Sequence, residues 1–306
     1  MFRKISREEA ARISPWPNRI SGMAPWQKTR NTSSVESEYE ARYVEMRKLW
    51  NQHKQSFPNL SPALLPLSFV HKLNCQNWTQ MSSLPSVYGP VNLDKYLLSF
   101  QDELYEGSLS VAEAFFRQVV VQSVQRLVDH GLIRVVIELG CGAGINLINI
   151  AANCAIRAVG CELSNAAVTL IGEISSDTGL PIKAVQRNYM TDSISDLARG
   201  EDWGLMTVHS IEQTPEIDVS WIERILDEEL PPKVGIHMEP LHVPGGQFAA
   251  ECKRYAEIND YNREFMETIR KAEARGLIEV VALDPRIIGS QAHNPTSILV
   301  WQPKSR

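Results

Sequence analysis

Gly140, Gly142 and Gly144 alternate with Cys141 and Ala143 at the end of an apolar run, and an acid, Glu138, lies two residues before the first of them. Glycines so spaced let the backbone turn tightly, remove Cβ atoms from the path of a ligand, and let a helix pack close to a strand. Turns of the G-x-G-x-x-G type seat a pyrophosphate on a helix N-terminus. Here the spacing is G-x-G-x-G, and a carboxylate at Glu138 would repel a pyrophosphate. A second acid, Glu162, follows Gly144 by eighteen residues. Nucleotide-binding α/β folds use an acid at such a place to accept hydrogen bonds from ribose hydroxyls.

A second group of reactive side chains lies downstream: His209, Glu212, Gln213, His237, Glu239, His242, His293 and Asn294. Four of the seven histidines belong to it, which sets them apart from isolated structural histidines. Two chemistries suit such a set. A histidine or glutamate removes a proton from a hydroxyl or amine. Alternatively, two histidines and a carboxylate hold a divalent metal, with Glu212, His237, Glu239, His242 and His293 as the available ligands.

The elements that must position these groups follow from periodicity. Ile133–Leu139 is a β-branched run suited to a strand buried on both faces, and Ile145–Ala152 is compatible with helix. Further strands are expected at Arg157–Cys161, Ile182–Gln186, Leu205–Val208 and Val234–Met238, with Ser164 capping the helix after the second. A helix is expected at Asp218–Leu230 and a long helical region at about Gln247–Arg275. On that region Tyr255, Asn259 and Asn262 form a polar stripe that would read a polar substrate. Strands Ile278–Leu283 and Ser297–Trp301 close the chain, and Asn294-Pro295 reads as a turn. Reactive groups at strand ends then face one crevice, because α/β sheets bind ligands beyond the carboxyl ends of their strands.

This order resembles the class I S-adenosylmethionine (SAM) methyltransferases, whose first motif is E/D-x-G-x-G-x-G. The resemblance covers about Val111–Pro303. It implies an α/β, Rossmann-like seven-stranded sheet with an antiparallel last strand and helices on both faces. It also implies a cofactor with an amino group and a sulfonium, which suits the carboxylate at Glu138. The implied cofactor site comprises Glu138, Gly140, Cys141, Gly142, Gly144, Glu162, Asn188, Tyr189 and His209. Glu162 would bind ribose, Asn188 would meet the adenine edge, and Tyr189 would stack on or pack beneath the ring. Cys141 is a small filler with no base paired to it. Catalysis would fall to His209, Glu212, His237, His242 and His293. Gln213, Glu239, Tyr255, Asn259 and Asn262 would contact substrate. The segments at 209–213 and 237–242 look similar to those of sugar and natural-product methyltransferases. The placement of His242 and His293 is similar to that in metal-dependent C-methyltransferases.

Residues 1–107 are expected to form a helical and irregular extension covering the substrate site, ahead of a SAM-binding domain at 108–306. Its elements are a helix from about Val35 to Lys54 opened by Ser33-Ser34-Val35-Glu36, and a helix at Asn92–Tyr105. Tyr39, Tyr43, Met46 and Trp50 make one apolar stripe that reads as core packing. The Trp- and Pro-rich residues 10–35 read as an arm or lid. Ser110-Val111-Ala112-Glu113 is a second capping box.

Composition bounds the partners. Among 306 residues the net charge is −5, with both signs interspersed, so no basic face for nucleic acid is expected. No apolar run approaches a membrane span, the N-terminus lacks the apolar core of a secretory signal, and five scattered cysteines fit reduced thiols in the cytoplasm. The expected activity is methyl transfer to an O or N atom of a small polar metabolite such as a sugar, amino acid or specialised metabolite. A peptide or protein methyltransferase, a metal-assisted C-methyltransferase and a non-catalytic SAM-binding protein remain open, as does the oligomeric state.

Overall fold

The structure is a computed structural model that describes residues 2–13, 32–72, 95–214, 216–246, 248–259, 261–262, 264–289 and 294–304. Its centre is a parallel sheet of β4 (Val135–Leu139), β5 (Arg157–Glu162), β6 (Ile182–Gln186), β7 (Trp203–Val208) and β8 (Val234–Glu239). All five residues of β4 are buried, as its β-branched composition requires for a strand covered on both faces. β9 (Ile278–Gly289) and β10 (Thr296–Pro303) complete this part, and β10 inserts between β8 and β9, antiparallel to both.

The full sheet has ten strands in the order β1-β3-β2-β9-β10-β8-β7-β4-β5-β6, not the expected seven. The extra three come from the N-terminal extension. β1 is Arg3–Lys4, followed by the short helix α1 (Arg7–Ile13), and β2 (Tyr96–Phe100) and β3 (Glu103–Gly107) form a hairpin joined antiparallel to the end of β9. A helix was expected over Asn92–Tyr105. The hairpin turns at Gln101 and Asp102, both left-handed with φ of 49° and 65°. That turn geometry ordinarily selects Asn-Gly or Asp-Gly, so this pair carries no hairpin signal. Asp102 is held by Arg286 of β9, whose Nε donates to it at 2.6 Å while Nη1 donates to the Val243 carbonyl at 2.9 Å.

Helices cover both faces. On one lie α2 (Thr32–Ser56), α3 (64–72), α4 (Leu109–Asp129), α5 (Ile145–Asn153) and α6 (Asn165–Thr178), packed on Val136, Ala158, Met206 and Ile236. On the other, α7 (Val219–Leu226) and α9 (Phe265–Ala274) pack on Val135, Ile137, Leu205 and Trp301. The alternation of strand residues between two cores is the period-two pattern of a pleated strand. Ser164 caps α6 by accepting from Ala167 N at 3.1 Å, as expected. Ser110 is not the cap of α4. The cap position is Ser108, without a side-chain cap bond, and Glu113 turns to Arg117 instead. The long helical region after β8 is broken into α8 (Ala249–Asn259) and α9.

The extension is welded to the sheet through α2, which lies along α6. Trp50 is fully buried, donates from Nε1 to Asp177 at 2.9 Å, and packs edge-on to Phe69 of α3. Arg47 pairs with Glu173 and Lys54 with Asp177. The expected stripe of Tyr43, Met46 and Trp50 is buried together in this core. The arm at 14–31, the side chains of the first capping box and the segment 73–94 lie outside the described residues. Among the described residues no helix is long and apolar enough to cross a membrane. Trp50→Ala removes a large buried indole that joins extension to core. It should cost about 3–5 kcal/mol of stability, read as a fall in the urea midpoint of a single transition.

Candidate functional site

The strand order reverses beside β4, since β5 and β6 continue on one side and β7 and β8 on the other. Such a reversal opens a crevice beyond the carboxyl ends of the strands, and ligands of doubly wound sheets bind there. The glycine turn stands at that point. Gly140, Gly142 and Gly144 are all left-handed, with φ of 69°, 53° and 73°. Two of these glycines are required by protein neighbours. A Cβ on Gly140 would stand 2.7 Å from Ser210 Cβ, and one on Gly144 would stand 2.7 Å from Ile171 Cγ1. Above Gly142 the nearest atom is the Tyr43 hydroxyl oxygen of α2, 2.9 Å from where a Cβ would be.

Two acids frame the turn. Glu138 is buried, and its Oε1 accepts from Asn146 Nδ2 at 2.6 Å. Asn146 in turn accepts from Arg117 Nη1 at 2.7 Å. Glu138 Oε2 is buried without a partner. Burial pushes the Glu138 carboxyl up to about 8, against the opposing pull of Asn146 and Arg117. Glu162, at the end of β5, accepts from Gly142 N at 2.8 Å, Leu163 N at 2.8 Å and Ser164 N at 3.1 Å. A carboxylate offers about four acceptor positions, so capacity remains for one further donor. An unpaired buried carboxylate oxygen, a glycine cradle and a spare acceptor suit a ligand with a cationic group and hydroxyls, and so fit SAM.

The turn after β7 supplies the reactive pair. His209 is a left-handed non-glycine residue, with φ of 52°. Its Nδ1 lies 3.4 Å from Glu212 Oε1, and its Nε2 lies 2.7 Å from Thr296 Oγ1 of β10. Glu212 is held by Gln213 Nε2 at 3.1 Å and by Asn294 Nδ2 at 3.0 Å. Burial lowers the His209 pKa, but the Glu212 carboxylate, by charge and hydrogen bond, and Glu239 behind it raise the balance above the ordinary imidazole value. Beneath the turn, Glu239 accepts from Ser210 N at 3.0 Å, Ile211 N at 3.1 Å and Glu212 N at 3.4 Å. Burial raises the Glu239 carboxyl to about 7, and His209 opposes the rise. Glu212, Glu239 and His242 share the lining of one small recess with Asn262 and Phe265.

Other expected site residues lie elsewhere. His237 is fully buried at mid-strand in β8, where Trp301 Nε1 donates to its Nε2 at 2.8 Å and its Nδ1 meets Thr207 Oγ1 at 2.9 Å. Burial lowers its pKa to about 3, so it is a neutral core residue facing Phe265 and Trp301, away from the crevice. Its neighbour Glu239 reaches the strand end, and His237 does not. Asn262 is a cap, with Oδ1 accepting from Glu264 N and Phe265 N at 3.0 and 2.9 Å and Nδ2 donating to the Thr214 carbonyl. Tyr255 packs against Tyr261 in a satellite core with Ile5, Leu97 and Leu104. The polar stripe therefore dissolves, because the helix breaks between Tyr255 and Asn262. His293 and the Asn259 side chain lie outside the described residues.

Asn188 is exposed, and its Oδ1 accepts from Met190 N at 3.0 Å in a local turn. Tyr189 is buried with its hydroxyl 2.7 Å from Thr214 Oγ1, and its ring edge flanks Gly140. Cys141 is buried packing whose thiol burial pushes well up, consistent with an inert filler. Among the described residues no three His, Cys, Asp or Glu side chains stand together as a metal site. Sequence reasoning missed Asn146, Arg117, Thr296 and Tyr43. Each reaches the site by packing across elements, and only Tyr43, on its aromatic stripe, carried a pattern.

No family model matches the chain, and no curated protein matches it. Solved structures similar to it include magnesium protoporphyrin IX methyltransferase from Synechocystis PCC 6803 with bound S-adenosylhomocysteine (SAH). That match has 15% identity over 78% of this chain and 97% of the other, with a TM-score of 0.47. The SAM-dependent methyltransferase SibL matches at 15% identity over 62% of this chain and 56% of the other, with a TM-score of 0.45. An O-methyltransferase of neocarzinostatin biosynthesis, crystallised with SAM and a naphthoic acid, matches at 17% identity over 56% of this chain, with a TM-score of 0.41. The chain spans about half the length of that last protein, 49%.

Gly140→Ala tests the packing of the turn. A left-handed alanine costs about 1–2 kcal/mol, and here its Cβ also displaces Ser210. Denaturant unfolding should show at least that loss.

Proposed function

We propose that this chain is a SAM-dependent methyltransferase that moves a methyl group to an O or N atom of a small polar metabolite. One observation carries the reading. A left-handed glycine turn at the switch point of the sheet lies between Glu138, with its unpartnered oxygen, and Glu162, with acceptor capacity to spare. Glu162 would take a ribose hydroxyl, and Glu138, mostly protonated at pH 7 without a ligand, would give up its proton as it meets the cationic end of the cofactor. SAM would supply an electrophilic methyl on a sulfonium, and the other requirements fall to the protein.

The base assigned here is His209. Glu212 beside Nδ1 favours a proton on that nitrogen, which leaves Nε2 as the basic atom. Nε2 is engaged by Thr296 Oγ1, so an acceptor hydroxyl or amine would displace that hydroxyl to reach the basic atom. His209 would take the acceptor's proton as the acceptor's lone pair bonds to the methyl carbon, the carbon–sulfur bond breaks and SAH leaves. Glu239 holds the turn rigid through three backbone N–H groups. Gln213 and Asn294 orient Glu212, and His242 lines the adjoining recess.

Calorimetry with SAM and SAH tests the cofactor. Heat of binding is expected for both, and its absence overturns the reading. Glu162→Ala should weaken SAH about tenfold or more, since hydrogen bonds to charged groups contribute about 1.5–3 kcal/mol.

The base has its own test. The raised His209 pKa means the neutral, basic form is lost as pH falls through a midpoint above about 6.5. Turnover should rise with pH through that midpoint. In Glu212→Gln the imidazole resonance should titrate at lower pH than in the wild type. An unchanged NMR midpoint counts against the pair.

A further inference from the structure

The hydroxyl of Tyr43 is an unpaired polar group that stands over Gly142 of the glycine turn. Tyr43 is 9% exposed, and its ring stacks on Tyr39 at 6.1 Å between centroids. No hydrogen bond from its hydroxyl is formed within the described residues, although its oxygen is the atom nearest the space above Gly142. The residue is buried as a whole while its hydroxyl oxygen stays accessible, so the donor is open to whatever fills the space above the turn. Burial, and then the charge of Glu162, push its phenol upward, so it is a neutral donor at pH 7.

Its position is set firmly. Along α2, Glu40 accepts from Ser164 Oγ at 2.5 Å and from Ala166 N at 3.1 Å, which places a carboxylate on the N-terminus of α6. Two turns further on, Arg47 pairs with Glu173, and beyond it Trp50 and Lys54 meet Asp177. Glu40 and Arg47 thus anchor α2 on either side of Tyr43. Here the same face that buries Met46 and Trp50 aims one donor at the glycine turn.

We infer that Tyr43 is a cofactor-binding residue supplied by the N-terminal extension, its hydroxyl donating to the ligand that the glycine turn and Glu162 hold. The inference rests on the SAM reading above. It makes α2 part of the cofactor site, so the site is incomplete in residues 108–306 alone.

The test is calorimetry of the full-length chain with SAH, for wild type, Tyr43→Phe and Tyr39→Phe. Phenylalanine keeps the packed ring and removes only the hydroxyl, and a thermal melt confirms that each variant is folded. Tyr43→Phe should weaken SAH about three- to tenfold, the loss of one hydrogen bond, while Tyr39→Phe binds as the wild type does. Unchanged or tighter binding by Tyr43→Phe overturns the inference and leaves the SAM reading standing. No binding by the wild type overturns the SAM reading, and this inference with it.

Discussion

The crevice depends on one buried carboxylate. Glu239 ends β8 and accepts the backbone N–H groups of Ser210, Ile211 and Glu212. Those bonds hold the turn after β7 in a shape that puts His209 into the left-handed region, a conformation that a non-glycine residue adopts only when its surroundings enforce it. The same turn brings Ser210 onto the first glycine, where its Oγ donates to the Leu139 carbonyl at 2.7 Å. The space at Gly140 is therefore required by a neighbouring loop before any ligand is considered. Glycine turn and histidine turn are one packed unit, and Glu239 is its keystone.

A second constraint comes from the extension. Its hairpin lengthens the sheet, and its long helix runs along α6 with an acid at the helix N-terminus and a tryptophan locked at the far end. The Asp102–Arg286 pair ties the hairpin to β9 and, through the Val243 carbonyl, to the loop that follows the strand-end residues of β8. The extension thus reaches the crevice from two sides, as sheet edge and as helix.

Much of the parallel sheet was legible because its signals are local. The β-branched run ending at Glu138, the glycine spacing, the Ser164 cap and the five strand segments each need only neighbouring residues to read. The hairpin at 96–107 was not legible, since Gln101 and Asp102 are poor markers of a left-handed turn and pairing with β9 supplies what the turn lacks. His237 looked like its neighbours in type and failed on register. It shares a strand face with Glu239 but lies two residues before the strand end, so it packs inside beside Trp301 while Glu239 reaches the turn after β7.

The sequence by itself determined the chain's class of fold and the chemistry of the turn, because residue type and spacing dictate backbone freedom and charge over a few residues. Tertiary structure alone decided which side chains meet. It joined His209 to Glu212 and Thr296, made Asn262 a cap, and brought Tyr43 over Gly142 from about a hundred residues away. The physical reason is that such contacts are selected by packing between elements distant in the chain, and no local propensity records them.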